Sequence, residues 1–434
     1  LLDGYVYYKV EQDQYTLREA SLCEVNQWYE QLRPAEAQIP ALDLSQTEIL
    51  PLSEIEFSMS NAFGAKCANV ATMGTFGFPE GTIPDGFGVP FYFYQEFMNY
   101  NGFFDVVDAM IADEAFQNDL EVRKDMLKDL RTQIKDAEMP QWMLDALEDM
   151  HNEFPEGTSV RCRSSTNNED LPGFSGAGLY TSKTQHPHEG HIQKSIKQVY
   201  ASMWNFRAFD ERDFYRVDHH IASMGVLCHP NYTDEKANGV GVSTDPIYQT
   251  DDTYYLNTQV GEDLITNPEA YSTPEEILLD KVAVTEDDFV VIRRSNLMPD
   301  SVLIMTPEYL DQMRELMTTI HNEFADLYEV DPDGGFAVDI EYKITADDQL
   351  IVKQARPWVS YWSDAAEVEY TTLPDPVGSS VFPNPVSGEL TIMCDCEFEA
   401  VRIYDLNGRL AGEQILELCG SRAHMDANAL SPGL

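Results

Sequence analysis

Basic residues are scarce in this sequence of 434 residues. Lysine and arginine together number 28 against 75 aspartates and glutamates, which gives a formal net charge of −47 at pH 7. A surface this acidic repels the phosphate backbone of nucleic acids and the anionic headgroups of lipids. The composition therefore argues against a nucleic-acid partner and against binding to a membrane surface.

Long apolar runs and recognisable cysteine patterns are also missing. No stretch of about 18 consecutive apolar residues occurs, so we expect no membrane-spanning helix. The seven cysteines are scattered and include no Cys-x-x-Cys pair, which argues against a structural zinc site. Neither a Gly-x-Ser-x-Gly elbow nor a Cys/His protease signature is found, so these hydrolase classes are not indicated.

The sequence does contain enough apolar material for ordinary folded domains. Hydrophobic residues make up 43% of the chain and aromatic residues 11%, so disorder as the dominant state is excluded. At about 150 residues per domain, the length suggests two or three domains. Strand-like and helical patterns are mixed along the chain, which favours the α+β class.

The hydrophobic pattern predicts elements along most of the chain. Residues 4–20 alternate like a β-hairpin, and residues 33–53 resemble an extended, proline-containing linker. Helices are predicted over 105–154, 190–222 and 307–328. Strands are predicted at 238–244, 253–259, 289–293, 302–305, 336–344 and 349–354.

These changes in pattern predict the domain boundaries. We expect residues 1–53 to hold the remnant of an upstream domain and a linker, and residues 54–360 to form the main domain. Residues 361–379 are predicted to be an acidic, proline-containing linker, and residues 380–434 a small β domain. We also expect both ends to continue in a longer protein, because a lone hairpin is rarely stable and the chain starts without Met.

The most informative segment is residues 161–180, RCRSSTNNEDLPGFSGAGLY. A strand at 158–163 delivers Arg163 to a polar loop, in which glycines such as Gly173 and Gly176 let backbone N–H groups approach a ligand closely. A fixed cation beside a Gly-rich loop suits a polyphosphate. On the residues alone, a surface loop with a structural arginine is an equally good interpretation.

A second segment, residues 339–358, reads DIEYKITADDQLIVKQARPW. Period-two spacing puts Asp339 and Glu341 on one face of a strand, and Gln354 and Arg356 on one face of the next. A carboxylate and an amide oxygen are hard ligands for Mg²⁺, which usually also holds substrate phosphates, and the arginine would neutralise phosphate charge. A hairpin whose polar residues simply face water is the alternative interpretation.

Two smaller pieces complete the set of candidates. Lys66 lies in FGAKCAN, a Gly-Ala-Lys turn before a helical stretch, where it could contact phosphate. Glu262 and Asp263 end the strand-like run YYLNTQVGED and could meet a ribose or a metal. A surface lysine and a solvated strand end are the alternatives.

Together these pieces resemble the ATP-binding domain shared by phosphoenolpyruvate synthase, pyruvate phosphate dikinase and the glucan water dikinases. Residues 158–180 resemble its arginine loop, 259–263 and 339–357 resemble its other nucleotide motifs, and FGAKCAN resembles its opening, all in the family's order. The resemblance covers residues 54–360. It implies an ATP-grasp-like fold in which the nucleotide is held between two subdomains.

The resemblance also implies a role for each matched residue. Lys66, Arg163 and Arg356 would contact phosphates, and the two arginines would act in catalysis. Glu341 and Gln354 would hold Mg²⁺. In this family ATP phosphorylates a histidine on a separate swivelling domain, and catalysis consists of positioning and charge neutralisation.

The resemblance also implies roles for the other matched residues. Glu262 would lie near the nucleoside, with Asp263 and Asp339 in support, and Gly173 and Gly176 would belong to the phosphate-binding loop. The implied ligands are therefore ATP and Mg²⁺.

The sequence departs from the family in three respects. Between residue 358 and residue 434 no swivelling-domain motif is found, and this stretch is too short for a pyruvate-binding barrel. Glucan dikinases place the histidine domain first, so the hairpin at 4–20 could be the remnant of an upstream phosphohistidine domain. Cys67 stands where the family usually has a glycine after the lysine.

The tail resembles a second family. VFPNPVSGELTI (381–392), VRIYDLNGRL (401–410) and DANALSPGL (426–434) are similar to the C-terminal sorting domain of proteins exported by type IX secretion, here cut short. The resemblance implies a small C-terminal β-sandwich, recognition by the secretion machinery, and a secreted or cell-surface location. A generic β-sandwich appendage is the alternative.

Two functions remain open on the sequence. The first is a Mg²⁺-dependent ATP-binding phosphotransferase that passes a phosphoryl group to a histidine on a separate or upstream domain. The second is a secreted, non-catalytic surface protein on a retained ATP-grasp scaffold.

Overall fold

The chain folds into two compact units. The main unit spans Glu36–Ser360, and the end unit combines Leu1–Ala35 with Tyr361–Leu434. Within the residues that the structure describes, no helix is long and apolar enough to cross a membrane. The structure is a computed structural model that describes residues 5–11, 14–34, 36–169, 171, 174, 178–262, 265, 271–283, 288–299, 301–358, 380–382, 389–404 and 410–426.

Helices dominate the first half of the main unit. Two short 3-10 helices, Leu52–Glu54 and Phe57–Met59, precede the longer ones. The α-helices of the described residues are α1 (Leu22–Leu32), α2 (Ser60–Phe63), α3 (Ala65–Met73), α4 (Phe91–Tyr100), α5 (Phe103–Ile111), α6 (Glu114–Asn118), α7 (Leu120–Asp136), α8 (Gln141–Asn152), α9 (Gln193–Ser202), α10 (Phe206–Phe214) and α11 (Pro307–Leu327).

Strands begin and end the chain and dominate the second half of the main unit. They are β1 (Val6–Glu11), β2 (Gln14–Glu19), β3 (Leu50–Pro51), β4 (Phe87–Val89), β5 (Val160–Thr166), β6 (Lys183–Gln185), β7 (Met224–Pro230), β8 (Ala237–Val242), β9 (Thr253–Val260), β10 (Glu275–Asp280), β11 (Phe289–Arg293), β12 (Val338–Ile344), β13 (Leu350–Pro357), β14 (Ser380–Phe382), β15 (Glu389–Tyr404) and β16 (Leu410–Asp426).

Two antiparallel sheets organise the main unit. The five-stranded sheet has the order β3-β4-β7-β5-β6, and the six-stranded sheet has the order β11-β10-β9-β8-β12-β13. Helices α4, α5 and α7–α9 pack with the first sheet in one hydrophobic core, while α3 and α11 pack with the second sheet in another. This mixture of helices and antiparallel sheets confirms the predicted α+β class.

The hairpin of β12 and β13 forms as predicted. Glu341 lies opposite Gln354, and Asp339 lies opposite Arg356. The even-numbered residues of β12, such as Ile340, are buried in the core that contains α11. Because side chains alternate along a strand, the odd-numbered acidic residues face the other side of the sheet.

The single helix predicted over 190–222 is wrong. Helix α9 ends at Ser202 and α10 begins at Phe206, because Asn205 between them has extended backbone, with φ −59° and ψ 141°. The side chain of Asn205 donates to the carbonyl of Leu179 at 3.0 Å, which fixes the break.

The strand predicted at 302–305 is also wrong. The backbone N–H groups of Ile304 and Met305 donate to the carboxylate of the buried Glu275, at 3.0 and 2.9 Å. These donors are therefore taken by a side chain and do not join a strand ladder.

The end unit begins with the predicted hairpin, in which β1 pairs with β2. Helix α1 follows, and its start is fixed by a capping box between Ser21 and Glu24. Strands β14, β15 and β16 form an antiparallel sheet. The segment 36–53, predicted as linker, belongs to the main unit, where Gln38 forms a parallel bridge with Val217.

Candidate functional site

Helix α3 joins the two sheets of the main unit. The hydroxyl of Ser165 in β5 accepts the backbone N–H of Cys67 at 3.0 Å, and the amide of Asn69 donates to the carbonyl of Ala355 in β13 at 3.1 Å. Gly64, just before the helix, has φ +86°, and a Cβ there would lie 2.3 Å from the Ser165 hydroxyl. Only glycine allows this approach, so the start of α3 is fixed against β5.

Lys66 lies in the first turn of α3, at this junction. Its Nζ donates to the carbonyl of Ser164 at 2.8 Å and lies 3.5 Å from the carboxylate of Glu169. Burial lowers the pKa of Lys66, and the charge of Glu169 acts in the opposite direction. The ammonium group is thereby held at a defined place beside β5.

Arg163 reaches from β5 to the β12–β13 hairpin and is only 9% exposed. Its Nη1 donates to the carbonyl of Lys353 at 2.8 Å. Its Nη2 donates both to Oε2 of Glu341 at 2.9 Å and to Oε1 of Gln354 at 2.7 Å. One nitrogen of the guanidinium therefore lies between the two oxygens that the sequence predicts as metal ligands.

The Glu341 carboxylate meets a second cation. Nζ of Lys353 lies 3.2 Å from Oε2 of Glu341, whose side chain is 36% exposed. Burial favours the protonated acid, but the charges of Arg163, Lys353 and Lys66 prevail and lower the pKa of Glu341 well below its usual range. The carboxylate is therefore ionised at neutral pH and accessible from solvent.

Arg356 and Asp339 form a two-pronged ion pair on the same face of the hairpin. Nε of Arg356 donates to Oδ1 of Asp339, and Nη2 donates to Oδ2, both at 2.9 Å. Burial raises the pKa of Asp339, while Arg356 acts to lower it. The carboxylate orients the guanidinium, as is usual for paired planar groups of this kind.

Five of the predicted residues thus meet at one junction: Lys66, Arg163, Glu341, Gln354 and Arg356. They come from α3, β5, β12 and β13, which are far apart in the sequence. The charges of Lys66 and Arg356 act on each other and on Glu341 even without a direct hydrogen bond. With Lys353, the junction therefore combines four cations with two oxygens that share one donor.

Four predicted residues remain to be located: Glu262, Gly173, Gly176 and Asp263. Glu262 is exposed in the turn after β9, and its charge acts on Arg161, whose pKa is lowered mainly by burial. Gly173, Gly176 and Asp263 lie outside the residues that the structure describes.

The oxygens around Nη2 of Arg163 fit a hard divalent cation. Mg²⁺ takes oxygen ligands, often one or two from the protein and the others from water and phosphate. Across the described ranges of the chain, no group of three or more His, Cys, Asp or Glu side chains could hold a metal ion. The carboxylate of Glu341 and the amide oxygen of Gln354 are oxygen atoms of the kind that Mg²⁺ takes.

Lys353 is a residue of this junction that the sequence did not reveal. Strict alternation would point Lys353 and Gln354 to opposite faces of β13. A β-bulge intervenes, because Glu341 pairs with Gln354 whereas Tyr342 pairs with Val352. The bulge leaves Lys353 without a register partner and lets two consecutive side chains approach Glu341.

His229 in β7 is a second residue near the junction that the sequence did not reveal. It lies opposite Arg161 in the pairing of β7 with β5 and is buried. Its Nδ1 donates to the carbonyl of Pro230 at 2.8 Å, and its Nε2 has no hydrogen-bond partner in the described part of the chain. Burial, with the charges of Arg163, Lys353 and Arg161, lowers the pKa of His229 to about 3.

We expect His229 to make the folded protein sensitive to acid. Its pKa of about 3 lies below the value of about 6.5 for an unfolded chain, so between these values the unfolded state binds more protons. The free energy of unfolding should fall as the pH drops through this window, by up to about 1.4 kcal/mol per pH unit from this residue.

Urea unfolding of the wild type and of His229→Asn between pH 7 and pH 5 measures this contribution. The variant should lose stability less steeply on acidification than the wild type. His188→Asn, at an exposed position, serves as the control and should retain the wild-type slope. Equal slopes for His229→Asn and the wild type would contradict the expectation.

Comparison with known proteins gives two family matches. The model of the pyruvate phosphate dikinase AMP/ATP-binding domain matches residues 60–373, and that of the secretion system C-terminal sorting domain matches residues 380–434. The second match confirms the predicted sorting domain, so the protein is exported by type IX secretion to the cell surface or the medium. The first match confirms the resemblance to this ATP-binding domain that the sequence motifs indicate.

Individual relatives are more distant. Phosphoenolpyruvate synthase from Aeropyrum pernix is 23% identical over 291 residues, which cover 65% of this chain and 34% of the relative. Phosphoenolpyruvate synthase from Aquifex aeolicus is 26% identical over 261 residues, which cover 58% of this chain and 29% of the relative. This chain therefore spans about a third of the length of these curated relatives.

A solved structure, D-alanyl-alanine synthetase A from Vibrio cholerae, matches with 10% identity and a TM-score of 0.23 over 55% of each chain. A similarity this low supports no argument about the fold or the function.

Proposed function

This chain belongs to the family of pyruvate phosphate dikinase AMP/ATP-binding domains, and on that premise we propose that its main unit binds ATP with Mg²⁺ and passes a phosphoryl group to a histidine on a separate or upstream domain. The observation that carries the proposal is the hydrogen bonding of Arg163 to both Glu341 and Gln354, with Lys66 and Arg356 close by. Such a set of cations and oxygens suits a triphosphate together with its metal ion.

The proposed binding mode follows from the charges. Lys66, Arg163 and Arg356 bind phosphate oxygens, while Glu341 and Gln354 hold Mg²⁺, which neutralises phosphate charge when it is bound. In the structure the arginine and the glutamate neutralise each other. When nucleotide binds, the Arg163 guanidinium would pair with a phosphate in place of the Glu341 carboxylate. Glu341 would then be free to hold the metal ion with Gln354, so that neither charge is left unpaired.

The other matched residues are assigned to the nucleotide by the same proposal. Glu262 lies near the nucleoside, with Asp263 and Asp339 in support, and Gly173 and Gly176 offer backbone N–H groups to phosphate.

The proposed reaction breaks the P–O bond between the transferred phosphoryl group and the rest of the nucleotide. A P–N bond to the imidazole forms, and the imidazole releases a proton. Negative charge spreads over the oxygens of the transferred group, and Arg163 and Arg356 neutralise it. Their fixed positions mean that little reorganisation is required during the reaction.

Mass spectrometry of the full-length protein after incubation with ATP and Mg²⁺ tests this proposal. We expect a mass gain of one phosphoryl group on a histidine, lost in Arg163→Ala and retained in Arg207→Ala, which changes an exposed arginine of α10. A folded wild-type protein that binds ATP but gains no phosphoryl group would contradict transfer to a histidine of the same chain.

A second candidate function is a non-catalytic surface protein on the same scaffold. The observation that favours it is the sorting domain, because ATP is scarce outside cells. It predicts a folded main unit without phosphohistidine formation, so the same mass measurement separates the two candidates.

A further inference from the structure

Two buried cysteines face each other across neighbouring strands of the five-stranded sheet. Cys162 in β5 is the register partner of Cys228 in β7, and their Sγ atoms lie 3.9 Å apart. Both are free thiols, and both side chains are fully buried. Opposed residues of antiparallel strands have Cα atoms about 4.5–5.5 Å apart, which is within the range that disulfides span.

Among the cysteines whose side chains the structure describes, Cys162 and Cys228 are the pair in direct contact. Cys67, the third cysteine whose side chain is described, packs in the core of the six-stranded sheet, whereas Cys162 and Cys228 pack in the core with α4 and α9. The contact with Cys162, together with burial, raises the pKa of Cys228 well above its usual value. The thiolate needed for oxidation is therefore disfavoured once the sheet has formed.

We propose that Cys162 and Cys228 form a disulfide in the exported protein. The sorting domain directs the chain out of the reducing cytoplasm into the compartments where disulfides persist. The two thiols lose two protons and two electrons and form one S–S bond. The electrons pass to a disulfide-bearing thiol oxidase, which becomes a dithiol by exchange through a mixed disulfide.

The order of events follows from the burial of both thiols. An oxidase has access to them only before β5 and β7 close into the core, so the bond forms during folding after export. The link joins β5 next to Arg163 to β7 and closes a loop across 66 residues. Restricting the unfolded chain in this way should raise the melting temperature by about 5 °C over that of the reduced protein.

The test is the thiol state of the full-length protein purified after export. The protein is denatured in an alkylating agent, digested without reductant and analysed by mass spectrometry. We expect one linked pair of peptides containing Cys162 and Cys228, present also in Cys67→Ala. Both cysteines recovered as alkylated thiols, or each linked to a different cysteine, would overturn the proposal.

A second measurement does not depend on the folding of any variant. The same full-length chain produced in a reducing cytoplasm should yield both cysteines as free thiols. Its melting temperature should lie about 5 °C below that of the exported protein, and added reductant should not lower it further. Free thiols at Cys162 and Cys228 in both preparations would overturn the proposal.

Discussion

Replacing Arg163 with alanine is expected to weaken the binding of Mg²⁺-ATP by about 100-fold or more. Hydrogen bonds between charged partners each contribute about 1.5–3 kcal/mol, and a loss of about 2.8 kcal/mol is a factor of 100. Within the described residues, the substitution leaves Glu341 with Lys353 as its remaining direct ion pair, so the junction becomes less positive and attracts the triphosphate less strongly.

Thermal unfolding with and without nucleotide measures this loss. At a concentration of ATP about 100 times its dissociation constant, the wild type gains about 2.7 kcal/mol of stability. A variant that binds about 100-fold more weakly gains only about 0.4 kcal/mol, so its melting temperature should scarcely rise.

Two matched variants control for indirect effects of the Arg163 substitution. Arg163→Lys keeps the charge but loses the fork of donors, so we expect an intermediate rise in melting temperature. Arg207→Ala removes an exposed arginine and should behave like the wild type. A wild-type rise in Arg163→Ala would contradict the proposed phosphate contact.

Replacing Glu341 with glutamine is expected to remove most of the effect of Mg²⁺ on ATP binding. The variant keeps an oxygen for Arg163 but loses the charged ligand of the metal. It also frees positive charge at the junction, so ATP without metal should bind at least as well as it does to the wild type. We expect the ratio of affinities with and without Mg²⁺ to fall at least about tenfold, or about 1.4 kcal/mol.

Calorimetric titrations of ATP with and without Mg²⁺ measure this ratio. Asp348→Asn is the matched control, because it removes a carboxylate at the exposed turn of the same hairpin. It should leave the ratio unchanged. A normal response to Mg²⁺ in Glu341→Gln would show that the metal is held elsewhere.

The fold could be predicted from the sequence where the local pattern matched the structure. Alternation along β12 was sufficient to place Asp339 on one face of the sheet, while the other face packs on α11. Strand β10 could not be predicted in this way, because its first residues, Glu275 and Glu276, have the appearance of surface residues. Both are buried, and their partners come from distant parts of the chain.

These partners explain why the two carboxylates can be buried. Glu275 accepts backbone N–H groups from residues 304 and 305. Glu276 accepts the hydroxyls of Tyr248 and Tyr255. Buried acidic groups are tolerated when they are paired in this way, but the pairing exists only in the folded chain.

Some residues of the candidate site could likewise be predicted from the sequence, and others could not. Arg163, Glu341 and Gln354 could be selected because their types and spacing carry the chemistry of phosphate and metal binding. Lys353 could not, because its approach to Glu341 depends on a bulge in β13. His229 could not either, since its charged neighbours come from β5 and β13.

The central claim is that the junction between the two sheets binds ATP with Mg²⁺. Isothermal titration of the full-length wild-type protein with ATP and Mg²⁺ tests it most directly. We expect saturable binding at one site per chain, about 100-fold weaker in Arg163→Ala and much less dependent on Mg²⁺ in Glu341→Gln. A folded wild-type protein that shows no binding of ATP, with or without Mg²⁺, would contradict it.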